Sequence, residues 1–507
     1  MDATENYPHK WLALIGLCLL SFTSFLDYTI VTTALPFIQR DLQATVNELQ
    51  WLLNIMAMIQ CMFMIVAGRA GDIWGRKRIF YFGFILFTIA AIGAATSQNI
   101  FILIFFRGIQ AFSGSIIFTV GVTLLPQAFP PSQQTQAISI FSAFNGLGLS
   151  IGPFLGGVLI TLFNWRWVFW VNLPFIIVGF FMSCFTLKPS PKPDSKIKID
   201  WWGFFLLVVG LGCLVYGIIY GQENDWNGTS IALIVIGIIC LILLVYVENK
   251  VTNPLLDLQL FKNKLATLSA ITCIAAGIVS YVFVFFDPLY FKLIRDQSAF
   301  YVGLTLLSVT VIQVIISLML AKLLKLFSVY QLLVFGIAAT AISAFIHVFF
   351  HSGTSIIIIL LAMILMGYTW GIANAGGITA ITNTVDAAET GTAIGTIFTL
   401  WNLSGAIFLA LSTVIFHLGE HATMSHYFHQ NHIILKEGQH SQIRRLLSDP
   451  DQALQILKHL SIPNPQVVFN YFKLSFLNGY HWAYWFCTLI SIIALLLGLL
   501  LRPQKPV

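Results

Sequence analysis

Charge is scarce in this chain. Its 507 residues include 26 Lys or Arg and 20 Asp or Glu, 9% in all, where an ordinary soluble domain carries roughly 25%. That excludes a soluble enzyme and a disordered chain. A phosphate-cradling Gly-x-x-x-x-Gly-Lys-Ser/Thr loop is also missing, so ATP is not expected to drive the protein directly. The seven cysteines (Cys18, Cys61, Cys184, Cys213, Cys240, Cys273 and Cys487) all lie in apolar runs. None has metal-ligand spacing or a loop position suited to a disulfide, so they read as small buried hydrophobes. No nucleophile–base or metal constellation occurs within those runs, which argues against a membrane enzyme. Neither a cofactor nor a nucleic-acid partner is expected.

What is present is apolar length. Hydrophobic residues make up 58% of the chain, enough for about fourteen spans of roughly 20 residues. The runs fall near 11–36, 49–68, 79–97, 100–125, 136–161, 166–187, 203–221, 230–248, 265–290, 300–324, 329–350, 354–381, 389–416 and 478–501. The first follows a ten-residue polar tail and continues past Asp27 to Pro36 without a small-residue cleavage site, so it reads as a span rather than a signal peptide. An even count puts both termini on one side. With the termini inside, 16 of the 26 basic residues fall in inner segments, and only Arg40, Arg166, Lys292 and Arg295 fall in short outer loops. That bias is the one expected for cytoplasmic termini.

The runs divide as six, two and six. The expected units are an N-terminal six-helix bundle (1–190), a linker with two extra helices (191–260), and a C-terminal six-helix bundle (261–507) with a long outer loop (418–476). The fold class is therefore all-α membrane protein, fourteen helices, with a site expected between two repeated halves.

Four stretches carry mechanism. Between spans 2 and 3 lies Gly68-Arg69-Ala70-Gly71-Asp72-Ile73-Trp74-Gly75-Arg76-Lys77-Arg78. Its glycines permit a tight turn, and Asp72 can pair with Arg76 or cap a helix N-terminus. In span 5, Asn145, Gly148, Gly152 and Gly156 sit at helical spacing beside Pro153 and Gly157. They offer a small face for close helix approach, with a kink or break at the proline. In span 1, Asp27 shares a helical face with Thr23 and Ser24. An intramembrane carboxylate is a functional-site hypothesis by default, and removal from water favours its neutral form, which suits a proton carrier. In span 4, Arg107 is the only basic residue well inside a span, with Gln110 and Gly114 on its face. Such a cation needs a partner or a watery cavity. A purely structural role remains open for each stretch.

The span 2–3 loop resembles the signature of the major facilitator superfamily. Leu26-Asp27-Tyr28-Thr29-Ile30-Val31-Thr32-Thr33-Ala34-Leu35-Pro36, Trp165–Pro174 and the borders of span 7 resemble its fourteen-spanner drug:proton antiporter branch. The glycine–proline pattern of span 5 resembles that of the antiporter branches. The resemblance covers the first 260 residues best. It implies that Asp72 and the basic cluster lock an inner gate against the start of span 13, Asp386 to Gly391. It also implies proton coupling at Asp27 and Arg107, and exchange rather than uniport.

Other features stay open. Asp287, before Pro288 near the outer end of span 9, could recognise a cation, take a second proton, or be a solvated helix-end residue, the plainest reading. Asn145 and Gln110 are further candidates for a substrate or proton site. His417, His421, His426, His429, His432 and His440 cluster in the outer loop. No Cys joins them and acids are scattered, so a solvated surface is expected rather than a metal site. Ser448-Asp449-Pro450-Asp451 resembles a capping box before a short amphipathic helix.

The expected function is proton-coupled export of hydrophobic or amphipathic small molecules from a bacterial cytoplasmic (inner) membrane. The partners are the substrate, protons and the lipid bilayer. A periplasmic adaptor would meet the outer loop where the cell has a Gram-negative envelope. The alternatives are a dedicated exporter of one metabolite, such as a siderophore, and a non-transporting membrane sensor or scaffold.

Overall fold

The structure is a computed structural model. It describes residues 9–44, 46–187, 200–223, 226–251, 255, 258–386, 389–430 and 465–502. Among them, fourteen helices are long and apolar enough to cross a membrane. No strand occurs among the described residues. In hydrocarbon every backbone polar group must be satisfied within the segment, which the α-helix does by itself.

The first six helices are α1 (Lys10–Ala34), α2 (Trp51–Trp74), α3 (Arg76–Ala95), α4 (Ile100–Ala128), α5 (Pro131–Leu162) and α6 (Trp167–Thr186). Two follow between the bundles, α7 (Trp201–Gly221) and α8 (Gly228–Glu248). The second bundle holds α9 (Lys264–Ile294), α10 (Tyr301–Leu323), α11 (Val329–His347), α12 (Ile356–Thr382), α13 (Thr390–Met424) and α14 (Val467–Leu500). The six-two-six arrangement is the expected one.

The segment 418–476 is not simply a loop. The helix carrying α13 runs on to Gln430, and the one carrying α14 starts at Pro465. At ~1.5 Å per residue, the 41-residue helix Thr390–Gln430 is about 60 Å long, against about 30 Å of hydrocarbon. Buried Glu420, Met424, Val468 and Phe472 continue the packing into this extension. Polar residues hid it from a count of apolar runs. His432, His440, the segment after Ser448 and most of the linker after Lys188 lie outside the described residues, as do the side chains of His426 and His429. Among the described residues no group of His, Cys, Asp and Glu could hold a metal ion.

The bundles meet along two seams, α2 with α13 and α5 with α10. The extra helix α7 lies over the first, packing Leu207 and Leu211 near Ile65 and Leu214 near Ala410, with α8 behind it. The seam is thereby shielded from lipid.

On the face that carries both chain ends, one apolar cluster draws on both bundles, joining Leu14, Phe118 and Phe129 to Ile378, Ile394 and Phe398. Toward the opposite face each bundle keeps its own cluster, one around Leu26, Ile30 and Phe169, the other around Phe286, Tyr290 and Met363. The terminal face is shut.

The small face expected on α5 is real, and its partner is α1. A Cβ on Gly148 would lie 2.5 Å from the Phe22 carbonyl, and one on Gly156 would lie 2.9 Å from that of Ile30. A Cβ on Gly152 would lie 3.0 Å from the Ile30 nitrogen. Gly157 does not belong to this contact, because it faces open space. Pro153 does not break α5, which continues from Pro131 to Leu162. It lacks an N–H, so the Leu149 carbonyl loses its helical donor. The Thr29 hydroxyl of α1 donates to that oxygen at 3.2 Å. Thr29→Val should therefore leave this half-buried carbonyl without a donor and cost about 1 kcal/mol. The check is a fall in thermal midpoint in detergent, with Thr29→Ser close to wild type.

Candidate functional site

Asp27 lies seven residues before the end of α1, and Arg107 seven after the start of α4. These helices run in opposite directions, so both side chains sit about 10 Å in from the face opposite the termini. Both are 0% exposed. The Arg107 Nη1 donates to Asp27 Oδ2, to the Asp27 carbonyl (3.3 Å) and to Gln110 Oε1 (3.2 Å). Because Gln110 accepts there, its amide nitrogen is free to donate to Asp27 Oδ1, at 3.1 Å. Asn172 Nδ2 of α6 donates to the same oxygen at 2.8 Å. Every partner is a donor, so the geometry is that of an ionised carboxylate held by a guanidinium and two amides. Arg107 Nε and Nη2 have no hydrogen-bond partner, and the Phe169 ring lies 5.9 Å away. The pair thus has spare donors and no solvent contact, an arrangement that can change protonation only if a path to water opens.

Asn145 does not join this network. It accepts from Ser21 at 2.5 Å, while its Nδ2 is unpartnered. Across the α5–α10 seam, the neighbouring Gly146 would set a Cβ 3.1 Å from Gln313, whose Oε1 is also unpartnered.

The residues of the span 2–3 motif are on the terminal face. Asp72 does both things open to it. Its Oδ1 pairs with Arg76 at 2.8 Å, and its Oδ2 accepts from the Thr392 N–H at 3.0 Å and the Thr392 hydroxyl at 3.1 Å. It thus caps the N-terminus of α13, where a negative charge meets the positive end of the helix dipole. Arg76 also donates to the Thr123 carbonyl at 3.2 Å, which ties α4 to the start of α3. Gly75 has φ 95°, a left-handed conformation that a side chain resists, and starts α3. Gly68 faces Gly391 so closely that a Cβ would lie 2.2 Å from its carbonyl oxygen. Lys77 donates to the Leu187 carbonyl at the end of α6. Arg78 is exposed.

Asp287 is not a solvated helix-end residue. It is 0% exposed, with His347 Nε2 at 3.1 Å from Oδ2 and the Tyr480 and Tyr484 hydroxyls donating to Oδ1. This second network stays within the C-terminal bundle and does not meet Asp27.

The sequence profile of the Major Facilitator Superfamily matches residues 17–409. The chain belongs to the Major Facilitator Superfamily. Its fourteen candidate spans make it a multi-pass membrane protein of that superfamily. Multidrug resistance protein 3 of Bacillus subtilis (strain 168) is 30% identical over 295 residues, 58% of this chain and 57% of that protein. The probable multidrug resistance protein EmrY of Escherichia coli (strain K12) is 32% identical over 267 residues, 52% of each. The riboflavin transporter RibZ of Clostridioides difficile (strain 630) is 29% identical over 311 residues, 61% of this chain and 66% of RibZ. The chain thus spans about half to two thirds of the length of these relatives. The crystal structure of the human organic anion transporter MFSD10 (TETRAN) superposes with a TM-score of 0.63 at 13% identity, covering 97% of this chain and 100% of that one. That likeness concerns the fold.

Within this superfamily member, the motif reading brings together Asp27, Arg107 and Gln110, and Asp72 with Arg76. It missed Asn172, Thr392 and His347. Asn172 and His347 both stand as lone polar residues in apolar spans, a signal that was available. Tyr480 and Tyr484, at i and i+4, share one helix face. Asp386 is exposed and does not meet Asp72, because the contact falls at Gly391 and Thr392.

Proposed function

We propose that this transporter is a proton-coupled antiporter that exports hydrophobic or amphipathic small molecules by alternating access, a multidrug efflux permease. The observation that carries the reading is the wholly buried Asp27, held by Arg107, Gln110 and Asn172. A carboxylate inside a membrane is costly and is by default a functional-site hypothesis. The relatives named as multidrug resistance proteins support the substrate class.

Protonation of Asp27 from the outer side removes its attraction for Arg107 and frees the cavity of substrate. Deprotonation toward the cytoplasm restores the pair and favours loading. The Lys/Arg bias supports a cytoplasmic terminal face, and the bacterial relatives support a bacterial cytoplasmic membrane. Asp72, Arg76 and the Gly68–Gly391 approach form the inner gate, and the glycine face of α5 lets α1 shift as the bundles rock. The bundles are residues 1–190 and 261–507, with 191–260 as the insert between them. A periplasmic adaptor, where the envelope has one, would meet the extension of α13 and α14. One pH unit with ~100 mV supplies roughly 3.7 kcal/mol per proton, enough for about a 500-fold substrate gradient.

The second reading is a dedicated exporter of one metabolite. The unpartnered Gln313 Oε1 of α10, beside Gly146 at the α5–α10 seam, favours it, since it suits a substrate with a hydrogen-bond donor. A competition panel in proteoliposomes separates the two. For multidrug efflux, unrelated lipophilic cations should each compete and each drive proton release. Response to a single siderophore-like or other polar compound would replace that reading with the dedicated one.

A further inference from the structure

Among the described residues, each bundle carries one wholly buried carboxylate at the same place in its first helix. Asp27 is seven residues before Ala34 at the end of α1, and Asp287 is seven before Ile294 at the end of α9. Asp27 is held by an arginine. Asp287 is held by a histidine, the side chain whose ordinary pKa lies nearest neutrality. We propose that Asp287 and His347 form a second proton-binding site, holding one proton between them that clamps α9 to α11.

The proton count follows from the acceptors around the ring. His347 Nδ1 lies 2.6 Å from the Ser343 carbonyl oxygen. A carbonyl only accepts, so Nδ1 carries a hydrogen. Nε2 then meets Asp287 Oδ2 at 3.1 Å in one of two ways. Either an imidazolium N–H donates to a carboxylate, or a carboxylic O–H donates to the neutral ring. Both hold one proton on the Oδ2–Nε2 line, and both leave the pair with no net charge. If that proton departs to water, a carboxylate faces a nitrogen lone pair across the same gap. The contact turns repulsive, with a net negative charge left in an apolar pocket.

The pocket makes the contact matter. The His347 ring stacks on Tyr484, with centroids 4.5 Å apart and planes within 7°, and touches Phe350 at 4.6 Å. Asp287 Oδ1 takes hydroxyls from Tyr480 and Tyr484, so the pair joins α9, α11 and α14. Other titratable groups on the packed elements are engaged elsewhere. Arg295, just beyond α9, binds the Thr354 carbonyl, and Tyr290 of α9, the nearest of these to Asp287, gives its hydroxyl to the His351 carbonyl. His481 of α14 binds the Phe350 carbonyl, and Cys487 meets Ser412. On the helix carrying α13, His417 pairs with Glu420, beyond the Phe416 ring that packs on Phe286. The charge of the pair is therefore set by its own proton.

Under the antiport reading this adds a second proton to the cycle, but the site itself is tested without transport. Hydrogen–deuterium exchange is followed on the purified full chain in detergent, with no substrate and no gradient, from about pH 5 to 10. After correction for the intrinsic pH dependence, exchange in peptides covering 283–294 and 340–350 should rise together, at least about tenfold, as the proton leaves. Asp287→Asn should stay flat, because its amide donates to the neutral ring and holds the contact without a titrating proton. His347→Gln, whose amide donates to Asp287, tests the same point should the first variant fail to fold. A flat wild type, or variants that rise with the wild type, would overturn the proposal. Loss of antiport with this result intact would count against the transport reading alone.

Discussion

Asp27→Asn should abolish substrate-driven proton release in proteoliposomes, lowering it by at least about 100-fold, equivalent to ~2.7 kcal/mol of coupling. Asn keeps the size of the side chain and one acceptor, but it carries no proton between the two sides. The substitution also leaves Arg107 as an uncompensated buried cation. Only its Nη1 makes hydrogen bonds, and Nε and Nη2 are already without partners. Removing one member of a buried pair typically costs about 3–5 kcal/mol, so the thermal midpoint should fall as well. The double variant Asp27→Asn/Arg107→Gln removes both charges and should recover most of that stability while proton release stays absent. Recovery is expected because neighbouring sites couple rather than add. Normal coupled export by Asp27→Asn would end the proposed role for this carboxylate. Full stability in the single variant would show that Arg107 has found another partner.

Gly68→Ala should hold the terminal face open. At this point α2 and α13 touch backbone to backbone, since a Cβ at 68 would lie 2.2 Å from the Gly391 carbonyl oxygen and one at 395 would lie 2.5 Å from that of Met64. Neither atom belongs to a side chain that could swing away. The helices must separate, which breaks the Asp72 cap on Thr392. An overpacking cost of about 3 kcal/mol shifts a two-state equilibrium roughly 150-fold. Spin labels at Arg78 and Lys325, exposed on the terminal face of the two bundles, should report a short distance in wild type and a longer one in Gly68→Ala. Gly157→Ala, which points into open space, is the control and should match wild type. Identical distance distributions in all three would show that the seam yields without opening the face.

Sequence alone determined the membrane fold and its span count. Spanning helices must be apolar along a length set by the bilayer, and that constraint is written in composition. It also singled out Asp27 and Arg107, because an ion in a span is expensive wherever it points, and Asp72 by its place among the glycines of the span 2–3 loop. The glycine face of α5 was legible from helical spacing, although its partner α1 was not. The tertiary structure decided which groups meet. Asn172 reaches Asp27 across 145 positions, and Thr392 reaches Asp72 across 320. No local pattern records such distances. It turned Asp287 from a solvated helix end into a buried partner of His347, since burial depends on what the neighbouring helices cover. It also lengthened α13 and α14 past the membrane, where packing of one helix on the other replaces the apolar run that hydropathy reads.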